Sequence, residues 1–142
     1  MTDAELDSEL VTALRERGQR VTMPRLLVHR LVRRAGHISP EQVHAELAPT
    51  HPGLSPATVY GTLELLDELG FLRRVSTPRG ATLYNSRTDQ HHHVICRECG
   101  RIQDIEATVD TSAAERAARA AGFALDHGQL ALSGLCPDCT RR

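Results

Sequence analysis

The chain has 142 residues, enough for one domain or two small ones but not for a multidomain enzyme. Hydrophobic residues at 40 %, charged residues at 25 % and a net charge of −1 exclude a disordered protein. No apolar run approaches the ~18 residues of a spanning helix, and the acidic start lacks the basic, then apolar, pattern of a signal peptide. The expectation is a cytoplasmic protein with no membrane partner. Aromatics are 3 % with no Trp, so any core must come from Leu, Val, Ile and Ala.

Charge is unevenly spread. Residues 1–9 carry Asp3, Glu5, Asp7 and Glu9 without a base, while residues 15–34 carry seven Arg against one acid, Glu16. Such a run is an ordinary solvated helix face unless the fold beside it supplies a helix that reads nucleic acid.

In chain order, Leu6, Leu10, Val11 and Leu14 predict an amphipathic helix over residues 3–17, stopped by Gly18. Thr22 is placed to cap a second helix with Pro24 in its first turn and a stop at Gly36. Ser39-Pro40-Glu41-Gln42 has the form of a capping box opening a third helix with Val43 and Leu47 inward. Ser55-Pro56-Ala57-Thr58 opens a fourth, running through Val59, Leu63, Leu66 and Leu69 to Gly70. Phe71–Val75 and Ala81–Tyr84 read as short strands around a Pro78-Arg79-Gly80 turn.

Helices ending in a hairpin predict a winged helix-turn-helix. The Ser39 helix would cross the DNA backbone and the Ser55 helix would enter the major groove. An ordinary helical bundle with a hairpin is the alternative. Residues 85–92 are polar and read as a hinge. Strands are expected at Val94-Ile95, Arg101–Ile105 and Phe123–Leu132, around an Ala-rich helix over Ala113–Ala121. The predicted fold is α+β: a winged-helix domain over 1–84, a hinge with metal ligands over 85–93, and a small α/β domain over 94–142.

All four cysteines follow residue 95, as Cys96-Arg97-Glu98-Cys99 and Cys136-Pro137-Asp138-Cys139. In a reducing compartment, paired C-x-x-C knuckles point to metal rather than to disulfides. Four thiolates suit a closed tetrahedral zinc, and neither pair opens a helix in a thioredoxin-like βαβ unit as redox chemistry would need. The 36 residues between Cys99 and Cys136 exceed the ~15–20 of a compact zinc ribbon, so a small subdomain lies between the knuckles. In Gln90-His91-His92-His93-Val94, strand alternation puts His91 and His93 on one side and His92 on the other. Two imidazoles on one face make half of a site for Fe(II), Mn(II), Ni(II) or Zn(II). His29, His44 and His51 stand alone and read as surface or core residues.

Val21-Thr22-Met23-Pro24-Arg25, Ala57-Thr58-Val59-Tyr60, the run His91 to Gly100 and Cys136-Pro137-Asp138-Cys139 occur in order and at characteristic intervals. Together they resemble the ferric uptake regulator family of metal-dependent repressors from about Leu10 to Cys139, and most of all its peroxide-responsive branch. The resemblance implies a homodimer built on the C-terminal domain, structural Zn2+ on the four cysteines and a hinge metal that sets domain orientation. It places the hinge ligands at His37, Asn85, His91, His93 and Asp104, with Fe2+ or Mn2+ favoured and Zn2+ or Ni2+ as alternatives. A further site would draw on His92, Asp110 and His127. The chain departs from the pattern at Asn85, where a carboxylate is usual, at Gly61, where Arg is common, and at His127, one residue before the expected place at Gly128.

The expected function is a metal-dependent repressor binding double-stranded operator DNA, with no small-molecule substrate and no catalytic residues. Arg20 would contact phosphate or minor groove, and Thr58 and Tyr60 bases. The alternative within the family is an iron-, manganese-, nickel- or zinc-uptake regulator without peroxide chemistry. A zinc hydrolase or deaminase is the distant one, disfavoured because the thiolates close one zinc and no His-x-Glu accompanies a knuckle.

Overall fold

The computed structural model describes residues 2–77, 80–87, 91–126 and 128–142. The chain divides into two compact units, Met1–Ser76 with Gly80–Thr88, and Thr77–Arg79 with Asp89–Arg142.

The first unit contains α1 (Asp3–Glu16), α2 (Met23–Ala35), β1 (His37–Ile38), α3 (Pro40–Leu47), α4 (Pro56–Glu68), β2 (Arg73–Ser76) and β3 (Thr82–Asn85). Three of the four helices in this unit start on a side-chain cap. Thr2 and Glu5 form a capping box on α1, and Ser39 and Gln42 form one on α3. Ser55 Oγ accepts the Thr58 N–H at the start of α4. Thr22 occupies the cap position of α2 without a side-chain hydrogen bond. The strands form an antiparallel sheet in the order β1-β3-β2. Its β2–β3 hairpin is the wing, whose expected turn at Pro78 and Arg79 lies outside the described residues. β1 was invisible to strand patterning because it is two residues long, held by the pairing of His37 with Asn85 and Ile38 with Tyr84.

One continuous core fills this unit, from Leu10 and Leu14 through Val28, Val32 and Val43 to Val59, Leu63, Leu66 and Tyr84. Val59, Leu63 and Leu66 lie on the inner stripe of α4, which leaves Thr58, Tyr60 and Gly61 exposed on the other face. α1 also docks by charge. Arg30 Nε lies 3.0 Å from Asp7 Oδ2, and Arg33 Nη1 lies 3.3 Å from Asp3 Oδ1. Two cations of the basic run are therefore matched by the acidic start of the chain. The run is not one continuous basic stripe.

The expected strand at Phe71 begins later because α4 ends in a Schellman motif. Gly70, at φ 82°, lets the Phe71 N–H return to Leu66 O at 2.9 Å, so that N–H is unavailable to a sheet. α5 (Ser112–Ala120) ends the same way, with the Phe123 N–H on Ala118 O at 3.1 Å. The long strand expected over Phe123–Leu132 shrinks accordingly to β6 (Ala131–Gly134).

His29 lies in the core of the first unit, edge-on to Phe71 with ring centroids 5.4 Å apart. Burial first, and the Arg33 guanidinium second, push its pKa down to about 4 against a weaker opposite pull from Asp7. The unfolded chain therefore binds a proton near pH 6.5 that the folded unit refuses. Stability from the neutral ring is full above that pH and is lost as pH falls toward 4, by up to about 3 kcal/mol. His29→Leu should flatten this part of the profile, read as urea midpoints of both proteins between pH 7 and 4. Parallel profiles would show that His29 does not titrate between the states.

The second unit contains β4 (His92–Cys96), β5 (Ile102–Ile105), α5, β6 and the short α6 (Pro137–Thr140). β4 is central, antiparallel to β5 and parallel to β6, in the order β5-β4-β6. The expected hinge is narrower than its polar sequence suggests, because Asn85 belongs to β3 and His92 and His93 to β4. Its residues Thr88, Asp89 and Gln90 lie outside the described residues. Ile95 is the one buried aliphatic side chain in this unit among the described residues. α5 buries no residue, and Val94, Phe123, Leu130, Leu132 and Leu135 are exposed.

Candidate metal centres and nucleic-acid interface

The two cysteine knuckles meet because β4 and β6 run parallel. β4 ends at Cys96, which pairs with Gly134, two residues before Cys136. A tight turn closes the first knuckle, with the Gly100 N–H on Cys96 O at 3.0 Å, and α6 carries Cys139 back toward Cys136. One sulfur from each of Cys96, Cys99, Cys136 and Cys139 lies within 4.8 Å of the others. All four are free thiols, and Cys99 Sγ and Cys136 Sγ are 3.8 Å apart.

Backbone N–H groups, that of Cys99 foremost and that of Cys136 next, pull the Cys96 thiol down to about 6. The Cys136 thiol is lowered chiefly by the Cys139 N–H, whereas Cys139 is pushed up to about 12 by its contact with Cys136 and then by burial. Four sulfurs this close cannot all ionise without a cation. A dication removes that conflict, so the donor set fits a closed thiolate zinc. Arg101 and Asp138, 3.2 Å apart, tie the two knuckles at the surface.

His91, His92 and His93 are all buried. Alternation places His91 Nε2 and His93 Nε2 at 3.5 and 3.3 Å from Asp104 Oδ1, and β4–β5 register pairs His93 with Asp104. The two imidazole rings are 4.4 Å apart. Two nitrogens converging on one carboxylate oxygen form a donor set suited to a first-row dication. On the first unit, His37 Nε2 is 3.0 Å from Asn85 Nδ2, while Asn85 Oδ1 accepts the Arg87 N–H at 2.9 Å. Asn85 thus turns a nitrogen, which is not a metal donor, toward His37.

The third expected constellation is differently engaged. His92 Nδ1 accepts the Leu130 N–H at 2.9 Å, and Asp110 Oδ1 accepts the Ser112 N–H at 3.0 Å. His127 lies outside the described residues. Gly128, where the resemblance expects a histidine, is pressed against α5. A Cβ there would sit 2.6 Å from Glu115 Oε1.

The candidate DNA-reading groups begin in intramolecular bonds. The Tyr60 hydroxyl donates to Glu41 Oε1 of α3, which lowers the Glu41 carboxyl and raises the Tyr60 phenol. Thr58 Oγ1 lies 2.9 Å from Ser55 Oγ. Arg20 is exposed, just before α2. Residue types alone did not reveal Glu41 as the partner of Tyr60. Nor did they reveal Gln129, whose Nε2 lies 2.8 Å from His93 Nδ1.

A winged-helix unit joined to a unit bearing two clusters of metal donors defines a class, the regulator that couples metal to transcription. Comparisons with known proteins narrow it. The ferric uptake regulator family matches residues 16–133. Transcriptional regulator FurA of Mycobacterium tuberculosis (strain ATCC 25618 / H37Rv) is 34 % identical over 128 residues, 89 % of this chain and 87 % of that protein. The peroxide operon regulator of Bacillus subtilis (strain 168) is 28 % identical over 135 residues, 94 % and 93 % of the two chains. A solved zinc uptake regulator complexed with zinc and DNA superposes with a TM-score of 0.70 at 28 % identity, covering 99 % of this chain and 97 % of that one. The chain belongs to the ferric uptake regulator family. It is a metal-dependent transcriptional regulator and not an enzyme.

Proposed function

We propose that the protein is a homodimeric, metal-activated repressor of the peroxide-responsive type, acting on operator DNA in the cytoplasm. The observation that carries the metal dependence is the convergence of His91 and His93 on Asp104. In this reading His37 and Asn85 of the first unit complete the site, so that Fe2+ or Mn2+ favours one orientation of the DNA-binding units. A metal can drive DNA binding only through its differential affinity for that orientation. Asn85 would serve through Oδ1, giving up the Arg87 N–H. Asn85→Asp would supply a carboxylate and should tighten Mn2+ and Fe2+ more than Zn2+.

Zn2+ on the four cysteines has a structural role. A unit whose one buried aliphatic side chain among the described residues is Ile95 gains little from burial within a single chain and needs a staple. The exposed Val94, Leu130, Leu132 and Phe123, with α5 that buries nothing, fit a second copy of the chain. No described helix is long and apolar enough to cross a membrane. The further site of His92, Asp110 and His127 remains a weaker proposal, because His92 Nδ1 and one Asp110 oxygen are already bonded.

The peroxide assignment is supported by the similarity to the Bacillus peroxide operon regulator. A plain metal-uptake regulator is the second reading, favoured by the missing carboxylate at Asn85. Anaerobic titration of zinc-replete protein with Fe2+ or Mn2+, scored by operator gel shift, tests metal activation. With Fe2+ bound, hydrogen peroxide should add one oxygen to His37 or His91, water being the other product, and release the DNA. The Mn2+ form should stay bound. Intact histidines and unchanged repression would leave the uptake regulator.

Arg20→Ala should weaken operator binding and flatten its salt dependence. Each lost phosphate contact lowers the slope of log K against log salt by about 0.9, and a dimer presents Arg20 twice, so the change should approach about 1.8. An unaltered slope would place Arg20 on a solvated face.

A further inference from the structure

We propose that Gln129 is a positioning residue for the His93 imidazole, and that its side-chain amide reverses when metal binds. The inference rests on the reading of His91, His93 and Asp104 as metal ligands.

His93 is wholly buried, and its two ring nitrogens face different chemistry. Nε2 is 3.3 Å from Asp104 Oδ1, and Nδ1 is 2.8 Å from the Gln129 amide. Gln129 is held in place by its neighbour in sequence. The Leu130 N–H donates to His92 Nδ1 at 2.9 Å, and Leu130 O accepts the His93 N–H at 3.0 Å. From Ala131 onward the chain pairs with β4, beginning opposite His93. Both main-chain groups of Leu130 therefore hold the backbone next to Gln129 against β4, within reach of the ring.

A neutral imidazole carries one proton, and the partner at one nitrogen dictates the other's role. With the Gln129 amide nitrogen, which can only donate, facing His93 Nδ1, the one proton of a neutral ring belongs on Nε2, 3.3 Å from Asp104 Oδ1. This tautomer is closed to metal, because Nε2 has no lone pair to offer. For Nε2 to become a ligand, the proton must sit on Nδ1, where the Gln129 N–H would oppose it. A half-turn of the terminal amide brings Oε1 to that place as an acceptor. The ring neither gains nor loses a proton overall.

Glutamine suits both states because its two ends are nearly isosteric, one a donor and one an acceptor. A carboxylate at 129 would serve only the metal-ready tautomer, and an aliphatic side chain neither. Partners of this kind orient a ligating histidine and raise its basicity, and losing one costs about 10–100-fold in metal affinity.

The test uses full-length, zinc-replete protein, with Mn2+ as the affinity probe in a chelator competition and Zn2+ as a diamagnetic occupant for histidine 15N NMR. Gln129→Leu should weaken Mn2+ binding about 10–100-fold while keeping the thiolate-bound zinc. Gln129→Glu should bind Mn2+ at least as tightly as the unaltered protein. By NMR, His93 should carry its proton on Nε2 without the second metal and on Nδ1 with it. In Gln129→Glu, Nδ1 should be protonated before metal is added. Equal Mn2+ affinity of the unaltered protein and Gln129→Leu, or one His93 tautomer in both states, would overturn the role of Gln129. If Gln129→Leu fails to fold, Gln129→Glu and the NMR of the unaltered protein still decide. Failure of the unaltered protein to bind Mn2+ beyond its zinc would overturn the underlying metal reading, and this inference with it.

Discussion

Cys99→Ser should abolish retention of the structural zinc and unfold the second unit, leaving a monomeric chain with an intact first unit. The serine hydroxyl is a poor substitute for one of four thiolates that lie within 4.8 Å of each other. Apparent binding energies for such sites are ~10–16 kcal/mol in zinc-finger peptides, and in small domains that energy is folding energy. Within a single chain little else holds this unit, whose one buried aliphatic side chain among the described residues is Ile95. The first unit has its own continuous core from Leu10 to Tyr84 and should keep its hydrogen-exchange protection. Metal analysis and size-exclusion chromatography read the outcome. A variant that stays dimeric with one zinc per chain would refute the structural assignment.

His91→Ala should spare the fold and the thiolate-bound zinc yet eliminate metal-dependent operator binding. His91 Nε2 is one of the two nitrogens directed at Asp104 Oδ1, and the ring is buried against His93. Its removal would delete a proposed ligand and leave a hole beside His93. About 5.5 kcal/mol of differential affinity moves a two-state population from 1:99 to 99:1. If the lost nitrogen donor takes most of that difference with it, the DNA-competent form should stay a minority across the Mn2+ series. Gel shifts of unaltered and variant protein across a Mn2+ series provide the reading. Shifts of equal midpoint would show that metal acts elsewhere, and a variant that binds without metal would show that His91 holds the inactive form.

How much could be read beforehand differed from element to element. Ser39 and Ser55 announced their helices because a cap followed by proline is local chemistry, complete within four residues. Phe71 and Phe123 head predicted strands, but their N–H groups close Schellman motifs. The glycine before each was the available signal. The basic run reads as a solvated helix face, whereas Asp7 and Asp3 match Arg30 and Arg33 across 23 and 30 residues of chain.

The sequence by itself determined what repeats over short intervals or depends on residue type. That covers the two C-x-x-C knuckles, the facing of His91 and His93, the apolar stripes of the helices and membership of the family. Only the tertiary structure decided which distant groups share those sites. Asp104 meets His93 through the β4–β5 register, Gln129 reaches Nδ1 through the β4–β6 pairing, and Glu41 takes the hydroxyl of Tyr60. The reason is physical. Periodicity and capping act over one or two turns of chain, whereas the partners of the buried imidazoles and of the exposed Tyr60 hydroxyl are fixed by strand register and helix packing between segments distant in sequence.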